Sequence, residues 1–310
     1  MIQTQTPTFP ALTSYGHPLD RSPSALGCLR DSSDAAKDFP ELRRRMEEEG
    51  YLYLPGYLAR EDVLAAREEI TASMAAQGGL DPAYPPREAV RVSEKAGTQL
   101  LPKIAKTSPA VQSLLYAGRL VSFYEQFFAE PIRHYDYTWL RAVSPGKGTN
   151  PHCDLPYMGR GTHRHLTCWL PYGDISFTLG GLMILEGSHK RMDLLEKYVT
   201  RDVDSYCENK PDEAEKARQG VWSFNGTLSH NPPVLREKFG GRWLTTEFRA
   251  GDFLTFSMFL VHASLDNSSE HSLRISSDSR YQRASEPIDE RWIGPNPPAH
   301  STAGKRGRVC

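Results

Sequence analysis

The sequence predicts a mainly β protein with flanking helices, and three observations support this fold class. From residue 132 onward, short segments rich in β-branched and aromatic residues are separated by Gly, Pro, Asn and Asp, as in antiparallel strands of a sandwich or barrel. The residues before this point instead carry apolar side chains at helical spacing. The chain of 310 residues is 39% hydrophobic and 24% charged, which is typical of a folded globular protein.

The N-terminal part is predicted to begin as an irregular arm and to continue with helices. Residues 1–37 are rich in Pro, Ser and Thr and have no period, so we expect an arm over the surface. A helix over 39–49 would end at Gly50, and a second would follow the short strand YLYLPGYL and stop at Gly78. A third helix is predicted over 108–131, with Ser108 as its N-cap.

The strands lie in the remainder of the chain, which we interpret as part of one domain over residues 38–290. A charged stretch at about 190–220 has too few apolar residues for a core of its own and is predicted to be an insertion between strands. Residues 291–310 are expected to form a C-terminal tail. The predicted strand segments are IRHYDYTWLRAV, HLTCWLPY, GGLMILEG, RWLTTEFR, DFLTFSMFLVH and LRISSDSRYQ.

Charge, hydropathy and cysteine usage exclude several classes of protein. The 37 basic and 38 acidic residues give a net charge of −1, so the basic surface of a dedicated nucleic-acid binder is not expected. No apolar run approaches the roughly 18 residues of a membrane span, and the first residues do not form a secretory signal. The five scattered cysteines indicate reduced thiols, and we expect a cytoplasmic protein.

The segment PHCD carries the most informative polar side chains. His152 and Asp154 are two residues apart, so on an extended segment their side chains point to the same face. His262 follows the apolar segment 253–261 and is the natural third ligand. Two His and one carboxylate form the facial triad of non-haem Fe(II) oxygenases.

His-x-Asp alone is a weak signal, and the chain contains rivals. Roughly one His-x-acid pair is expected by chance in a chain of this composition, and His134 with Asp136 is a second one. His163 and His165 could instead form a cupin-like ligand pair together with His262. The loop SPGKGTN before His152 favours the first pair, because Pro and Gly there end a strand where a barrel mouth would lie.

The last predicted strand has an unusual polar face. With a period of two, one face carries two arginines, and the other carries mainly apolar residues. A polar face of this kind either points into a functional lumen or faces water, and the strand pattern does not distinguish the two. The residues of this face are Arg274, Ser276, Asp278 and Arg280.

Several motifs in order resemble the phytanoyl-CoA dioxygenase-like branch of the Fe(II)- and 2-oxoglutarate-dependent oxygenases. The resemblance covers most of residues 40–290. It rests on EEEGYLYLPGYLAREDVLAAREEI, SPGKGTNPHCD, CWLPYGDISFTLGGLMILEGSHK, FRAGDFLTFSMFLVHASLDNSS and LRISSDSRYQ.

This resemblance implies a double-stranded β-helix (jelly roll, cupin-like) core with packing helices from the N-terminal part. It implies Fe(II), 2-oxoglutarate and O₂ as cofactor and co-substrates. Arg274 would hold the distal carboxylate of 2-oxoglutarate, and Trp169 and Ser264 would lie near it. The implied iron ligands are His152, Asp154 and His262.

The implied reaction is hydroxylation, or another oxidation, of an unactivated C–H of a small-molecule substrate, with release of succinate and CO₂. Asp154 stands where halogenating relatives have a small residue, which favours hydroxylation. The insertion is expected to lie over the active-site mouth, and a monomer or homodimer is expected. Two alternatives remain open: a metal-dependent isomerase or lyase using His163, His165 and His262, and an inactive metabolite-binding β-helix protein.

Overall fold

The structure is a computed structural model that describes residues 9–94 and 97–310. The strands of this part of the chain are β1 (Thr13–Ser14), β2 (His17–Pro18), β3 (Leu26–Cys28), β4 (Tyr51–Leu54), β5 (Gln99–Leu100), β6 (Ile132–His134), β7 (Trp139–Val143), β8 (Leu166–Pro171), β9 (Leu182–Leu185), β10 (Ser205–Cys207), β11 (Trp243–Thr245), β12 (Phe253–Ser257), β13 (His262–Ser264), β14 (Arg274–Arg283) and β15 (Arg306–Arg308). The α-helices are α1 (Phe39–Glu49), α2 (Arg60–Ala76), α3 (Pro102–Thr107), α4 (Pro109–Tyr116), α5 (Gly118–Phe128), α6 (Leu155–Met158), α7 (Met192–Val199), α8 (Pro211–Arg218) and α9 (Pro232–Phe239).

Two sheets form the core, and the prediction of a mainly β jelly roll with flanking helices is confirmed. The larger sheet has the order β4-β12-β8-β14-β7-β5, with β6 paired to the end of β14, and the smaller has the order β13-β9-β11-β3. Side chains of both sheets, among them Trp169, Leu254 and Ile184, share one buried cluster, so the sheets face each other. The other face of the larger sheet packs against α1, α2, α4 and α5.

The first two predicted helices are confirmed, and the third is wrong in one respect. Helix α1 begins after Asp38, whose side chain accepts a hydrogen bond from the Glu41 N–H, and ends at Gly50 with φ +80°. Ser108 caps α4 as expected. The predicted single helix over 108–131 is broken, because Ala117 is extended and Gly118 has φ +56°. A glycine adopts this conformation at little cost, which the apolar periodicity did not reveal.

The N-terminal segment is more regular than expected. Residues 1–8 of the predicted irregular arm lie outside the described part. In the rest of this segment, strand β3 pairs in parallel with β11. Leu26 is buried there, and Phe9, Leu12 and Leu19 are also in the core. Strands β1 and β2, also in this segment, pair with each other. The prediction of an irregular arm is therefore wrong for β1, β2 and β3. Strands of two or three residues are too short to show a period in the sequence.

The insertion and the C-terminal tail are joined to each other. Strand β10 of the insertion pairs in parallel with β15 of the tail. Cys207 and Cys310 form a disulfide across this pair, with their Cα atoms 5.5 Å apart. The expectation that all cysteines are reduced thiols is therefore wrong for these two. The partners are 103 residues apart in sequence, and no local pattern indicates their pairing.

The disulfide predicts a thiol count. In protein purified in air and denatured without reductant, we expect alkylation of Cys28, Cys153 and Cys168 only. After reduction, Cys207 and Cys310 should also be labelled. Mass spectrometry measures both counts, and labelling of all five cysteines before reduction would contradict the disulfide.

Within residues 9–94 and 97–310, no helix has both the length and the apolar character that crossing a bilayer requires.

Candidate active site

Main-chain hydrogen bonds hold His152 and His262 side by side. The His152 N–H donates to the His262 carbonyl at 3.0 Å, and the His262 N–H donates to the His152 carbonyl at 2.9 Å. This antiparallel bridge joins the loop before α6 to the start of β13. The two imidazole rings consequently lie with their centroids 4.3 Å apart.

Asp154 completes a group of three possible metal ligands. Its N–H donates to the Met258 carbonyl at 3.1 Å, which fixes the backbone just before α6. Its Oδ1 lies 3.8 Å from Nε2 of His262. One ligand atom each from His152, Asp154 and His262 lie within 4.8 Å of one another. Two imidazoles and one carboxylate on one side of an ion match the facial triad, so this donor set fits Fe(II).

The inner nitrogen of each imidazole is held by a backbone carbonyl. Nδ1 of His152 lies 2.8 Å from the Asn150 carbonyl, and Nδ1 of His262 lies 3.0 Å from the Leu260 carbonyl. A carbonyl only accepts, so each Nδ1 carries the hydrogen and each Nε2 keeps its lone pair. Metal-binding histidines in proteins are commonly oriented in this way.

The second oxygen of Asp154 is engaged by the protein itself. Arg280 donates from Nη2 to Oδ2 at 3.0 Å, and the Thr167 hydroxyl donates to the same oxygen. Arg280 on β14 is the register partner of Thr167 on β8, so sheet pairing places both donors. The Arg280 guanidinium also lies 4.3 Å over the Trp139 ring. These contacts leave Oδ1 free to bind an ion.

The electrostatics of the site favour the deprotonated ligand set. Burial, with a smaller contribution from His262, lowers the pKa of His152 to about 3. Burial would raise the pKa of Asp154, but Arg280 and the two imidazoles outweigh it, so this pKa is lowered. The site thus offers neutral imidazoles and a carboxylate, the forms that bind a divalent cation.

Arg274 lies in the same cavity and lacks a carboxylate partner there. The cavity, of about 430 Å³, is lined by the three possible ligands together with Arg274, Trp169 and Ser264. Arg274 is 3% exposed and donates from Nη1 to the Gly180 carbonyl, while its buried Nε has no partner within the described structure. Burial lowers its pKa to about 9. A buried, incompletely paired guanidinium favours a bound carboxylate, so the residues present fit 2-oxoglutarate.

Trp169 and Ser264 form parts of the cavity wall. The Trp169 ring packs against Phe248 with a centroid distance of 4.6 Å. Ser264 Oγ accepts a hydrogen bond from the Thr149 N–H at 2.7 Å, so it also tethers the loop that carries His152. Both therefore have a structural role in addition to lining the cavity.

The polar face of β14 points inward, which decides a question that the strand pattern left open. Its four members all line the cavity of the possible ligands, while Ile275 and Tyr281 on the opposite face belong to the core under the helices. The members of the polar face are Arg274, Ser276, Asp278 and Arg280.

The rival histidines lie elsewhere. His134 and Asp136 are 3.6 Å apart and partly exposed. His163 is exposed with Nε2 3.1 Å from the Gly159 carbonyl, and His165 is buried against the Thr162 carbonyl. Within the described ranges, His152, Asp154 and His262 lie close enough together to share one metal ion, whereas His163 and His165 belong to no such group. The structure thus gives no support to the isomerase ligand set.

A second cavity, of about 890 Å³, adjoins the possible metal site. It shares Arg141, Thr149, His152, Asp154 and Arg280 with the first cavity. Its other lining residues are Thr98, Gln99, Leu100, Trp139, Asn150, Tyr157, Met158, Trp222 and His300.

Several of these residues were not predicted to have a functional role. Arg280 had a signal, since it shares the polar face of β14 with Arg274, but its contact with Asp154 was not foreseen. Trp222 lies just after the insertion and His300 lies in the C-terminal tail, and neither belongs to a recognisable motif. In the described structure, the residues lining this cavity lie outside 190–220, although the insertion was expected over the mouth.

Comparisons with known proteins agree with this geometry. The model of the family described as phytanoyl-CoA dioxygenase matches residues 46–276. A 1-deoxypentalenic acid 11-beta-hydroxylase of Streptomyces exfoliatus is 26% identical over 286 residues, covering 89% of this chain and 92% of that protein.

Solved structures share the fold. The non-haem α-ketoglutarate-dependent carbocyclase SnoK from nogalamycin biosynthesis matches with a TM-score of 0.57 and 19% identity, over 80% of this chain and 85% of that one. EctD from S. alaskensis, with 2-oxoglutarate and 5-hydroxyectoine, matches with a TM-score of 0.56 and 14% identity, over 99% of each chain.

The family prediction is confirmed, and with it the predicted class of enzyme and its cofactors. The family match covers most of the chain, and the structural neighbours share its jelly-roll core. The chain belongs to the phytanoyl-CoA dioxygenase family and is an Fe(II)- and 2-oxoglutarate-dependent dioxygenase that acts on a small molecule.

Proposed function

We propose that His152, Asp154 and His262 bind the iron, that Arg274 binds the distal carboxylate of 2-oxoglutarate, and that the enzyme hydroxylates an apolar substrate in the second cavity. The observation that carries this proposal is the group of three ligand atoms within 4.8 Å of one another, in a cavity that also contains the buried Arg274. No other described group offers both a metal donor set and a cation for a carboxylate.

The protein's own residues orient the reactants. When bound, Fe(II) and 2-oxoglutarate supply the O₂-dependent oxidation of a C–H, with release of succinate and CO₂. The backbone carbonyls at 150 and 260 orient the two imidazoles, and Arg280 with Thr167 orients Asp154. Trp169 and Ser264 form the wall beside the co-substrate.

Hydroxylation of an apolar molecule is the reaction that the site supports best. Asp154 occupies the position of the carboxylate ligand, so no coordination position is vacated for a halide. The second cavity has apolar walls, which exclude water from the substrate. These walls are formed by Leu100, Tyr157, Met158 and Trp222. The similarity to a hydroxylase of 1-deoxypentalenic acid supports the same reaction type.

We also propose the setting in which the enzyme works. Residues 38–290 act as one catalytic domain, against which the C-terminal tail packs. The protein is a monomer or homodimer. Nucleic acid is not a ligand, because the net charge is −1. A cytoplasmic location suits an enzyme that needs 2-oxoglutarate and ferrous iron. The Cys207–Cys310 disulfide is unusual for that compartment, where disulfides are rare.

Spectroscopy without air tests the proposed site. Apoprotein given Fe(II) and 2-oxoglutarate should develop a visible metal-to-ligand charge-transfer band, because a 2-oxo acid that chelates ferrous iron absorbs there. Fe(II) with succinate, which lacks the keto group, is the matched control and should give no band. Absence of the band with 2-oxoglutarate would contradict the proposal.

A further inference from the structure

The second cavity ends at a histidine of the C-terminal tail that lies outside the family match. We propose that His300 determines substrate specificity by binding the carboxylate of an apolar acid. This inference rests on the proposed function, since it takes the second cavity as the substrate site. It adds the chemical class of the substrate and the residue that recognises it.

Asp204 of the insertion orients the His300 ring. Nδ1 of His300 lies 2.7 Å from Oδ2 of Asp204, a fully buried carboxylate. The Asp204 carboxylate only accepts, so Nδ1 donates to it. A ligand carboxylate also only accepts, so it would bind the imidazolium form, in which Nε2 is a second donor directed at the ligand. The rings of Trp222 and Trp292 lie 5.1 Å and 4.8 Å from the imidazole and restrict its rotation.

The tail that carries His300 is itself anchored. The Arg306 N–H donates to the Asp204 carbonyl at 2.8 Å, and β15 continues this contact along β10. Trp292, on the near side of His300, is fully buried. The imidazole is therefore placed at the cavity by tertiary contacts on both sides.

The ion pairs beneath His300 leave room for one more negative charge. Asp204 also accepts from Arg291 at 2.6 Å and lies 3.6 Å from Lys305 Nζ. Apart from His300, the connected network has three carboxylates and three cations, so it leaves no unbalanced negative charge beside the imidazole to repel a substrate carboxylate. The network consists of Asp202, Asp204, Asp289, Arg160, Arg291 and Lys305.

The other charges of the cavity disfavour a cationic substrate. Among the described lining residues the only carboxylate is Asp154, and Arg280 already binds it. Arg141 is paired with Asp278 of the first cavity. A substrate ammonium would thus find no free carboxylate in the lining, whereas an acid finds His300.

Three rigid probes of one shape test this inference: 1-adamantanecarboxylic acid, 1-adamantanecarboxamide and 1-adamantanamine. Dissociation constants are measured by tryptophan fluorescence on the anaerobic holoenzyme with Fe(II) and 2-oxoglutarate. We expect the acid to bind about tenfold more tightly than the amide and the amine, which is the lower range for a charged hydrogen bond.

Two variants assign the preference to His300. His300→Phe keeps an aromatic ring against Trp222 and should reduce the preference for the acid to about twofold or less, with amide binding nearly unchanged. His300→Gln keeps a hydrogen-bond donor and should retain part of the preference. The charge-transfer band with 2-oxoglutarate should be normal in both variants, which shows that fold and iron site are intact.

Several results would overturn the inference while leaving the proposed iron site standing. These are an acid that does not bind, equal binding of the three probes by the wild type, or tighter binding of the amine. Survival of the acid preference in His300→Phe would place recognition elsewhere, and equal weakening of all three probes would indicate a purely structural role. Loss of the band in the wild type would instead contradict the proposed function.

Discussion

Replacing His152 by alanine is expected to abolish iron binding and to lower succinate formation from 2-oxoglutarate by about 100-fold or more. The variant keeps one imidazole and one carboxylate. Two protein ligands bind Fe(II) too weakly to compete with water for the ion. Loss of an outer-shell partner alone commonly costs about 10–100-fold in metal affinity or activity, and loss of a ligand costs more. Iron content after anaerobic desalting and succinate release measure the two effects.

His163→Ala is the matched control for this variant. His163 belongs to the rival ligand set and is exposed, with Nε2 3.1 Å from the Gly159 carbonyl and its ring 6.2 Å from that of Phe259. We expect it to keep wild-type iron content and turnover. An iron-loaded, active His152→Ala enzyme, or an inactive His163→Ala enzyme, would show that the metal binds elsewhere.

Arg274→Ala is expected to raise the 2-oxoglutarate concentration needed for half-maximal turnover by about tenfold or more. A hydrogen bond to a charged group contributes about 1.5–3 kcal/mol, which corresponds to roughly ten- to 150-fold in affinity. Because Arg274 does not contact the possible ligands, iron affinity without 2-oxoglutarate should change little. Titration of the charge-transfer band with 2-oxoglutarate measures the first effect, and a chelator competition measures the second.

Arg283→Ala is a control at the other end of the same strand. Arg283 closes β14 with its side chain 39% exposed and lies 3.8 Å from Glu130. Its removal should leave the requirement for 2-oxoglutarate unchanged. If Arg274→Ala also left it unchanged, another cation of the cavity, with Arg280 as the first candidate, would have to bind the carboxylate.

Much of the site could be predicted because it depends on local patterns. The spacing in PHCD identified His152 and Asp154, although in the structure His152 forms an isolated bridge and Asp154 is in the αR conformation just before α6. The period of two aligns Arg274 with Arg280 on one face of β14. The apolar strand before His262 places that residue at a strand end. Local patterns could not predict which histidines lie together, because the bridge between His152 and His262 joins segments that are far apart in the sequence. The family resemblance supplied that pairing.

The features that were not predicted depend on long-range contacts. Strand β3 is stabilised by hydrogen bonding to the free edge of β11. The Cys207–Cys310 disulfide depends on the pairing of β10 with β15. His300 reaches the cavity because Asp204 holds it, and neither residue lies in a recognisable motif. Helices α4 and α5 were joined in the prediction because their apolar periodicity continues across the break at Gly118.

A crystal structure of the protein grown without air with Fe(II) and 2-oxoglutarate would show where the iron binds. We expect one metal ion at about 2.0–2.2 Å from Nε2 of His152, Oδ1 of Asp154 and Nε2 of His262, with a carboxylate of 2-oxoglutarate on Arg274. Anomalous scattering at the iron edge identifies the ion. An iron ion bound by His163 and His165, or one that leaves any of the three proposed ligands uncoordinated, would contradict the proposed iron site.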